Sequence, residues 1–420
     1  MRLVTVFIAI FFTACAGTSD NEPVQGELTF YEDVRPMLDT YCSRCHVDGG
    51  TGPIDFTDPE NAVALADVML AQIDAGLMPP PVADPNCRDY VDSERMHLPE
   101  DARQLLSDWI DGGKVLGNEE DLVTVPPVST QLDNPDLTIG IPTPYAPSFE
   151  DDANPGNEYR CFYLEHGRAE DFFITGMAPV IDKTEIAHHI VIAKAKKSSI
   201  KEEYKTDNGW SCINGEGLNI LDGMIAGWAP GTVPFKFEAG MGMRMEEDEA
   251  FILQMHYYAN DDEAASAGDK SGYEFTTTDA VDREILMYPL GTQSFKIPAG
   301  AEDHKESLSF TIPNGLSARA HGTFPHMHVL GSGYRLWLEH PDGTETCGAE
   351  SERYDFDNQV TYMFKESILL QGGDKIRFEC TWNNSTSNPD RIHDEPKDTF
   401  YGERTDEEMC FAFTFLSIGP

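Results

Sequence analysis

The chain of 420 residues reads as multidomain: a small all-α domain followed by two all-β, jelly-roll-like antiparallel sandwich domains. Three observations predict this. First, apolar residues recur at helical spacing as Phe30, Val34, Met37, Leu38 and Tyr41, then Leu65, Val68, Met69 and Ile73, then Leu105, Leu106, Trp109 and Ile110, closed by Gly112-Gly113. Second, between Gly117 and Pro155 the composition shifts to Pro, Asp, Thr and Asn, which predicts a stiff linker and entry into a new domain over 118–155. Third, short alternating runs follow, such as Phe172 to Ile174, Ile190 to Ala195, Phe251 to Tyr258 and Arg335 to Leu338, and their total length suits two sandwiches, over 156–283 and 284–420.

Composition narrows the function classes. Hydrophobic residues make up 40%, enough for globular cores. Thirty Lys and Arg against 73 Asp and Glu give a net charge of −43, which argues against binding a nucleic-acid backbone, because phosphate contacts need cations. The same balance disfavours docking onto anionic lipid and describes a solvated, salt-tolerant surface.

The N-terminus reads Met1-Arg2, then an apolar run from Leu3 to Ala14, well short of the ~20 residues a membrane-spanning helix needs. It predicts a secretory signal over 1–15. Phe12-Thr13-Ala14-Cys15 resembles a bacterial lipobox, in which Cys15 becomes the lipidated first residue. Ala16 stands where Asp would favour inner-membrane retention, so the anchor is expected in the outer membrane, facing the periplasm or the cell surface. A small, polar, flexible tether over 16–27 follows.

Cys42-Ser43-Arg44-Cys45-His46 is a C-x-x-C-H motif, the attachment signature of one covalently bound haem c: Cys42 and Cys45 form thioethers and His46 ligates the iron. A zinc half-site or a redox dithiol competes, but no second Cys pair lies nearby and His46 follows directly. The region 28–117 thus reads as a cytochrome c domain. Met78, in Gly76-Leu77-Met78-Pro79-Pro80-Pro81, is the expected sixth ligand, a soft thioether in a rigid loop, with Met96 as competitor. That loop and the closing Trp109-Ile110-Asp111-Gly112-Gly113 resemble those of bacterial cytochromes c.

The β region holds a histidine and methionine pattern. In Phe324-Pro325-His326-Met327-His328, strand alternation puts His326 and His328 on one face, close enough to share an ion. His188-His189 is a vicinal pair that reaches one metal only at a bulge or strand end. His256 sits in the strand pattern Leu253-Gln254-Met255-His256-Tyr257, and Met409 precedes Cys410 and the strand Phe411 to Phe415. Each taken singly reads equally as a structural residue.

Together, in this order, Ala187-His188-His189, Leu253 to Tyr257, His326-Met327-His328-Val329-Leu330-Gly331 with Ser332 to Arg335, and Asp406 to Cys410 resemble the copper type II, ascorbate-dependent monooxygenases, the peptidylglycine α-hydroxylating and dopamine β-monooxygenase group. The resemblance runs from about Glu158 to the C-terminus. It implies two copper ions facing each other across an open, solvent-filled cleft. His188, His189 and His256 would hold the first; His326, His328 and Met409 would hold the second, where catalysis occurs. Three imidazoles suit an electron relay, and a thioether favours Cu(I). It also implies disulfides Cys161–Cys212 and Cys380–Cys410, and cleft support from Tyr159 and Gln254.

The implied reaction is hydroxylation of an activated C–H bond in a small-molecule or peptide-like substrate by O2. Electrons would come from a periplasmic donor or an ascorbate-like reductant, here through the fused haem. One departure matters: Phe324 stands where peptide-hydroxylating members place an Arg for the substrate carboxylate, which argues against a glycine-extended peptide. Cys87 and Cys347 remain, either free or paired as a staple between the cytochrome domain and the second copper domain. An alternative reading is a periplasmic electron-transfer or copper-handling lipoprotein without hydroxylase turnover.

Overall fold

A computed structural model describes residues 27–48, 50, 52–125, 131–149, 156–212, 223–230, 232–258 and 262–419. The apolar leader, Cys15 and nearly all of the tether lie outside the described residues.

The three apolar stripes fold as three helical segments. Thr29 caps a π-helical turn, Phe30–Val34, that runs into an α-helix over Arg35–Tyr41. Asp58 accepts the backbone N–H of Glu60 at 2.8 Å and so caps the helix Pro59–Asp74, whose first position suits proline because that N–H has no helical partner. The third helix, Glu100–Asp111, stops at Gly112-Gly113, and Gly113 turns the chain at a φ of 94°. Phe30, Val34, Leu38, Ala62, Ala66, Leu106 and Trp109 from these segments form one core.

Among the described residues the remaining chain is chiefly four sheets. A five-stranded sheet, in the order Trp210–Ser211, Asn157–Leu164, Glu249–Tyr258, Ala187–Lys196, Met224–Trp228, belongs to the first sandwich. A four-stranded sheet, in the order His304–Thr311, Lys375–Trp382, Gly331–Glu339, Glu345–Ser351, belongs to the second. A nine-stranded sheet runs behind both, crossing between them where Met241–Met245 pairs in parallel with Arg283–Gly291. Its edge strand, Leu137–Gly140, lies inside the stretch expected to be linker. There the apolar Ile139 enters the first core, so pairing with Gly272–Thr278 is favoured over an extended tether.

The strand Glu249–Tyr258 is buried along nearly its whole length because both faces are covered. Phe251, Leu253, Met255 and Tyr257 point into the first sandwich core. Ile252, on the opposite face, joins Trp210 and Met224 against Phe324, Met409, Phe411 and Phe413 from the second sandwich. This apolar seam closes the two sandwiches on each other, and the predicted metal ligands lie along it.

The helical region docks on the second sandwich. Ala83, Tyr90 and Met96 are part of that sandwich's core. Tyr90 also bridges to Phe364, and a disulfide joins Cys87 to Cys347.

Candidate metal centre

His188, His189 and His256 meet at one point because the strand Ala187–Lys196 carries a bulge. Its register with Glu249–Tyr258 passes from Ala187↔Tyr257 to His189↔His256, leaving two residues opposite one. The bulge turns both histidines to the same side. Their donor atoms lie within 4.8 Å of one another, and the Nδ1 atoms of His188 and His256 each approach Nδ1 of His189 to 3.2 Å.

The outer nitrogens fix the tautomers. His188 Nε2 donates to Asp357 Oδ1 at 3.0 Å, and His256 Nε2 donates to Asn157 Oδ1 at 2.7 Å. Both Nδ1 atoms therefore present lone pairs to a third imidazole, which can supply at most one proton between them. A cation satisfies all three; nothing else among the described side chains does. Burial first, then the neighbouring imidazoles, hold His189 and His256 well below the ordinary imidazole range, so they are neutral donors at neutral pH. The donor set fits copper, for which three imidazoles are good ligands.

The second cluster has the same logic with the ring atoms reversed. His326 ends the strand Ser317–His326, and Met327 points back into the second core, which leaves His326 and His328 on the seam side. His326 Nδ1 donates to Gln359 Oε1 at 2.6 Å, and His328 Nδ1 donates to the Glu407 carbonyl at 3.0 Å, so both Nε2 atoms keep their lone pairs. Gln359 is held in that orientation by its own amide, which donates to the Phe356 carbonyl at 2.9 Å. Burial lowers His326 to about 4 and His328 to about 3. Met409 lies two residues before Phe411, the strand partner of His326, and shares a cavity with both histidines. Two neutral imidazoles and a thioether fit a copper that passes through Cu(I).

Residues that sequence reasoning left without a role hold these ligands in place. The carboxylate of Glu408, wholly buried, accepts the backbone N–H groups of His328, Leu330 and Met409 and the indole of Trp382. Burial raises it to about 7 against the pull of those donors. The Cys380–Cys410 disulfide ties the same turn to the strand beside it. Glu408 stood in the sequence as an acid directly before Met409 and the apolar run Cys410 to Phe413, a signal that could have been used. Asp357, Gln359 and Phe356 carried none, because they lie on an irregular segment far from the histidines in sequence.

The resemblance implied an open, solvent-filled cleft, and the structure corrects this. His189, His326, His328 and Met409 line a single cavity of about 50 Å³, with Gln254 and Glu403 at its wall. Phe356 of the second sandwich stacks on His188 at 4.9 Å and packs edge-on to His328 at 5.9 Å. Tyr159 stacks on His256 at 4.1 Å and shares a 3.0 Å hydrogen bond with Thr405, again across the seam. These contacts, added to the apolar seam, bring the two clusters together. Gln254 lines the cavity and its amide points to the sulfur of Cys212, which is bonded to Cys161.

In the helical region, Cys42 and Cys45 are the free cysteines among the described residues, the other described ones being in three disulfides. His46 Nδ1 donates to the Ile54 carbonyl at 3.1 Å and its ring stacks on Phe56 at 4.7 Å, which leaves Nε2 as a lone-pair donor. Burial, with Cys45 beside it, pushes the Cys42 thiol up to about 12, which disfavours a thiolate at Cys42. Gly52 passes so close that a β-carbon there would fall 2.7 Å from His46 Nδ1. These features fit thioether attachment of a haem. The described contacts of His46 do not include Met78. Met78 is exposed on a cavity of about 940 Å³ between the helical region and the second sandwich, near His97, whereas Met96 also packs in the second core.

Comparison with known proteins supports the reading of the β region. Among solved structures, the infectious bursal disease virus VP2 subviral particle aligns at 11% identity over 66% of this chain and 74% of that chain, with a TM-score of 0.20. The T=1 particles derived from that virus align at 11% identity over 66% and 72%, with a TM-score of 0.21. Likenesses of this size carry no argument. The sequence families are specific: residues 150–264 match the copper type II ascorbate-dependent monooxygenase N-terminal domain and residues 304–416 match its C-terminal domain. These matches span more than half of the chain and contain both histidine clusters, so the chain belongs to the copper type II ascorbate-dependent monooxygenases.

Proposed function

We propose that this monooxygenase hydroxylates an activated C–H bond with O2, with one copper at His188, His189 and His256 and another at His326, His328 and Met409. Its electrons would arrive through a haem c attached at Cys42 and Cys45, with His46 and Met78 as axial ligands. The observation that carries the reading is that His189 of one histidine cluster and His326, His328 and Met409 of the other line one cavity, while the outer nitrogens of His188, His256, His326 and His328 are already hydrogen-bonded. When bound, copper supplies one-electron steps and the activation of O2. This chain's residues hold His189, His256, His326 and His328 neutral and aim the imidazole lone pairs inward.

The haem assignment is supported by the unpaired Cys42 and Cys45 and by the hydrogen bond that leaves His46 Nε2 as a donor. Met78 is favoured over Met96 because its side chain is not committed to a core. Export is supported by three disulfides, which persist in oxidising compartments. Anchoring at Cys15 in the outer membrane rests on the sequence motif. The substrate is a small or peptide-like molecule lacking the terminal carboxylate that peptide hydroxylases clamp, because Phe324, buried against Phe413, occupies that place.

The test combines metal and haem analysis with oxygen uptake over a panel of candidate substrates. Copper at both clusters, one haem, and uptake coupled to a hydroxylated product that disappears in Met409→Ala are expected. A copper-loaded protein that consumes no oxygen with any reductant and substrate would leave an electron-transfer or copper-handling protein.

A further inference from the structure

Three consecutive residues on the irregular segment between Glu345–Ser351 and Tyr362–Gln371 touch three different parts of the molecule. Asp357 Oδ1 accepts from His188 Nε2 of the first cluster at 3.0 Å. Asn358 Nδ2 donates to the carbonyl of Pro81, in the Met78–Pro81 loop of the helical region, at 3.2 Å. Gln359 Oε1 accepts from His326 Nδ1 of the second cluster at 2.6 Å. The segment is clamped on the helical region at both ends. Arg353 Nη1 would lie 2.9 Å from a β-carbon on Gly76, and the Tyr362 hydroxyl accepts the Ala83 N–H at 2.9 Å.

We propose that Asp357-Asn358-Gln359 is an electron junction between the helical region and the copper clusters, a reading that rests on the haem assignment above. The covalent route from Met78 to His188 is interrupted only twice, at the Pro81–Asn358 and Asp357–His188 hydrogen bonds. With a haem held at Cys42, Cys45 and His46 and a copper held at the His188 cluster, one electron would cross per event, the iron(II) going to iron(III) and the copper(II) to copper(I). Two events serve one turnover, and an ascorbate-like or protein one-electron reductant restores the haem each time. Gln359 gives the same junction a branch to His326, one peptide bond further on. Asp357 is a positioning residue here: it orients the His188 ring from the opposite sandwich, and outer partners of this kind tune the ligand they hold.

Flash photoreduction of the haem in the full-length, haem- and copper(II)-loaded protein, without oxygen, tests this by following reoxidation of the haem band. Asn358→Leu, which removes the donor to the Pro81 carbonyl, is expected to slow reoxidation. Asn358→Gln, which keeps a donor amide, should recover much of it. Direct reduction of copper by ascorbate should keep its wild-type rate in Asn358→Leu, whereas a merely structural defect would slow both. Asp357→Asn should slow reoxidation and also shift the copper(II) spin-resonance signal of the His188 cluster. Wild-type reoxidation rates in both Asn358→Leu and Asp357→Asn would overturn the junction and leave haem feeding intact. No copper-dependent reoxidation in the wild-type protein would overturn both.

Discussion

The carboxylate of Glu408 lies 2.9 Å from the backbone nitrogen of His328, and neither group reaches solvent. One buried acid therefore spans the turn that carries Met409 and the turn that carries His328. Its four donors would all lose their acceptor in Glu408→Ala. Stranding buried donors of this kind costs on the order of 3–5 kcal/mol. The expected outcome is a large drop in the denaturant midpoint together with loss of copper from the His326 cluster. Glu408→Gln, which keeps the shape and one acceptor oxygen, should fold but bind that copper more weakly. Equal copper binding in wild type and Glu408→Gln would show that the carboxylate only braces the fold.

His256 separates the two clusters experimentally. His256→Ala removes one lone pair from the first cluster and leaves Asn157 without its ring partner, yet touches nothing in the second. The copper content should fall by one per chain and the surviving signal should be that of the His326 cluster. The stability loss should be modest, about 1 kcal/mol for the lost His256–Asn157 hydrogen bond. Metal analysis with spin resonance checks both, and loss of both coppers would mean that the clusters bind cooperatively.

His321 makes stability sensitive to acid away from the metal ligands. It is buried with its Nε2 2.8 Å from the Ser417 hydroxyl, and burial first, then Arg283 and Arg319, lowers it to about 4. The unfolded chain, with an ordinary imidazole near 6.5, binds a proton that the folded chain refuses. The stabilisation is thus fully present above about 6.5 and is lost as the pH falls to about 4, by about 3 kcal/mol at most. His321→Gln should flatten that slope. Denaturation of the copper-free protein at neutral pH and near pH 4.5 measures it, and parallel slopes in the two proteins would count against His321.

The Cys87–Cys347 disulfide closes a separation of 260 residues and fastens the helical region to the second sandwich. Cys87→Ser should lower stability on the order of 2–5 kcal/mol. Limited proteolysis should then release the helical region more readily. Digestion at the wild-type rate would show that Tyr90, Met96 and their neighbours suffice for docking.

Much of this was legible in the sequence because it is periodic. The stripe Leu105, Leu106, Trp109, Ile110 could only be one face of a helix, and Phe251, Leu253, Met255, Tyr257 only one face of a strand. His256, on the face opposite those four, was legible as a residue out of place. The bulge at His188 was foreseeable as a requirement, though not as a fact, since no residue type marks it. The Leu137–Gly140 strand was hidden by the prolines around it. Closure of the sandwiches was hidden more deeply: it depends on Phe324, Phe411 and Phe413 meeting Ile252 and Met224, contacts between segments far apart in sequence that no local pattern encodes. Asp357 and Gln359 illustrate the limit, because a loop residue has no period and its partner is chosen by the fold.

The chamber shared by His189, His326 and Met409 has room for no more than a few water molecules. A molecule large enough to bring a C–H bond there needs more room than this, and the contacts that hold the two sandwiches together beside the chamber include the Tyr159–Thr405 and His188–Asp357 hydrogen bonds. Admission would then have a rate of its own, set by how readily contacts across the seam give way. A slow enzyme of this architecture would be slow at the door, and loosening Thr405 would quicken it without touching a ligand.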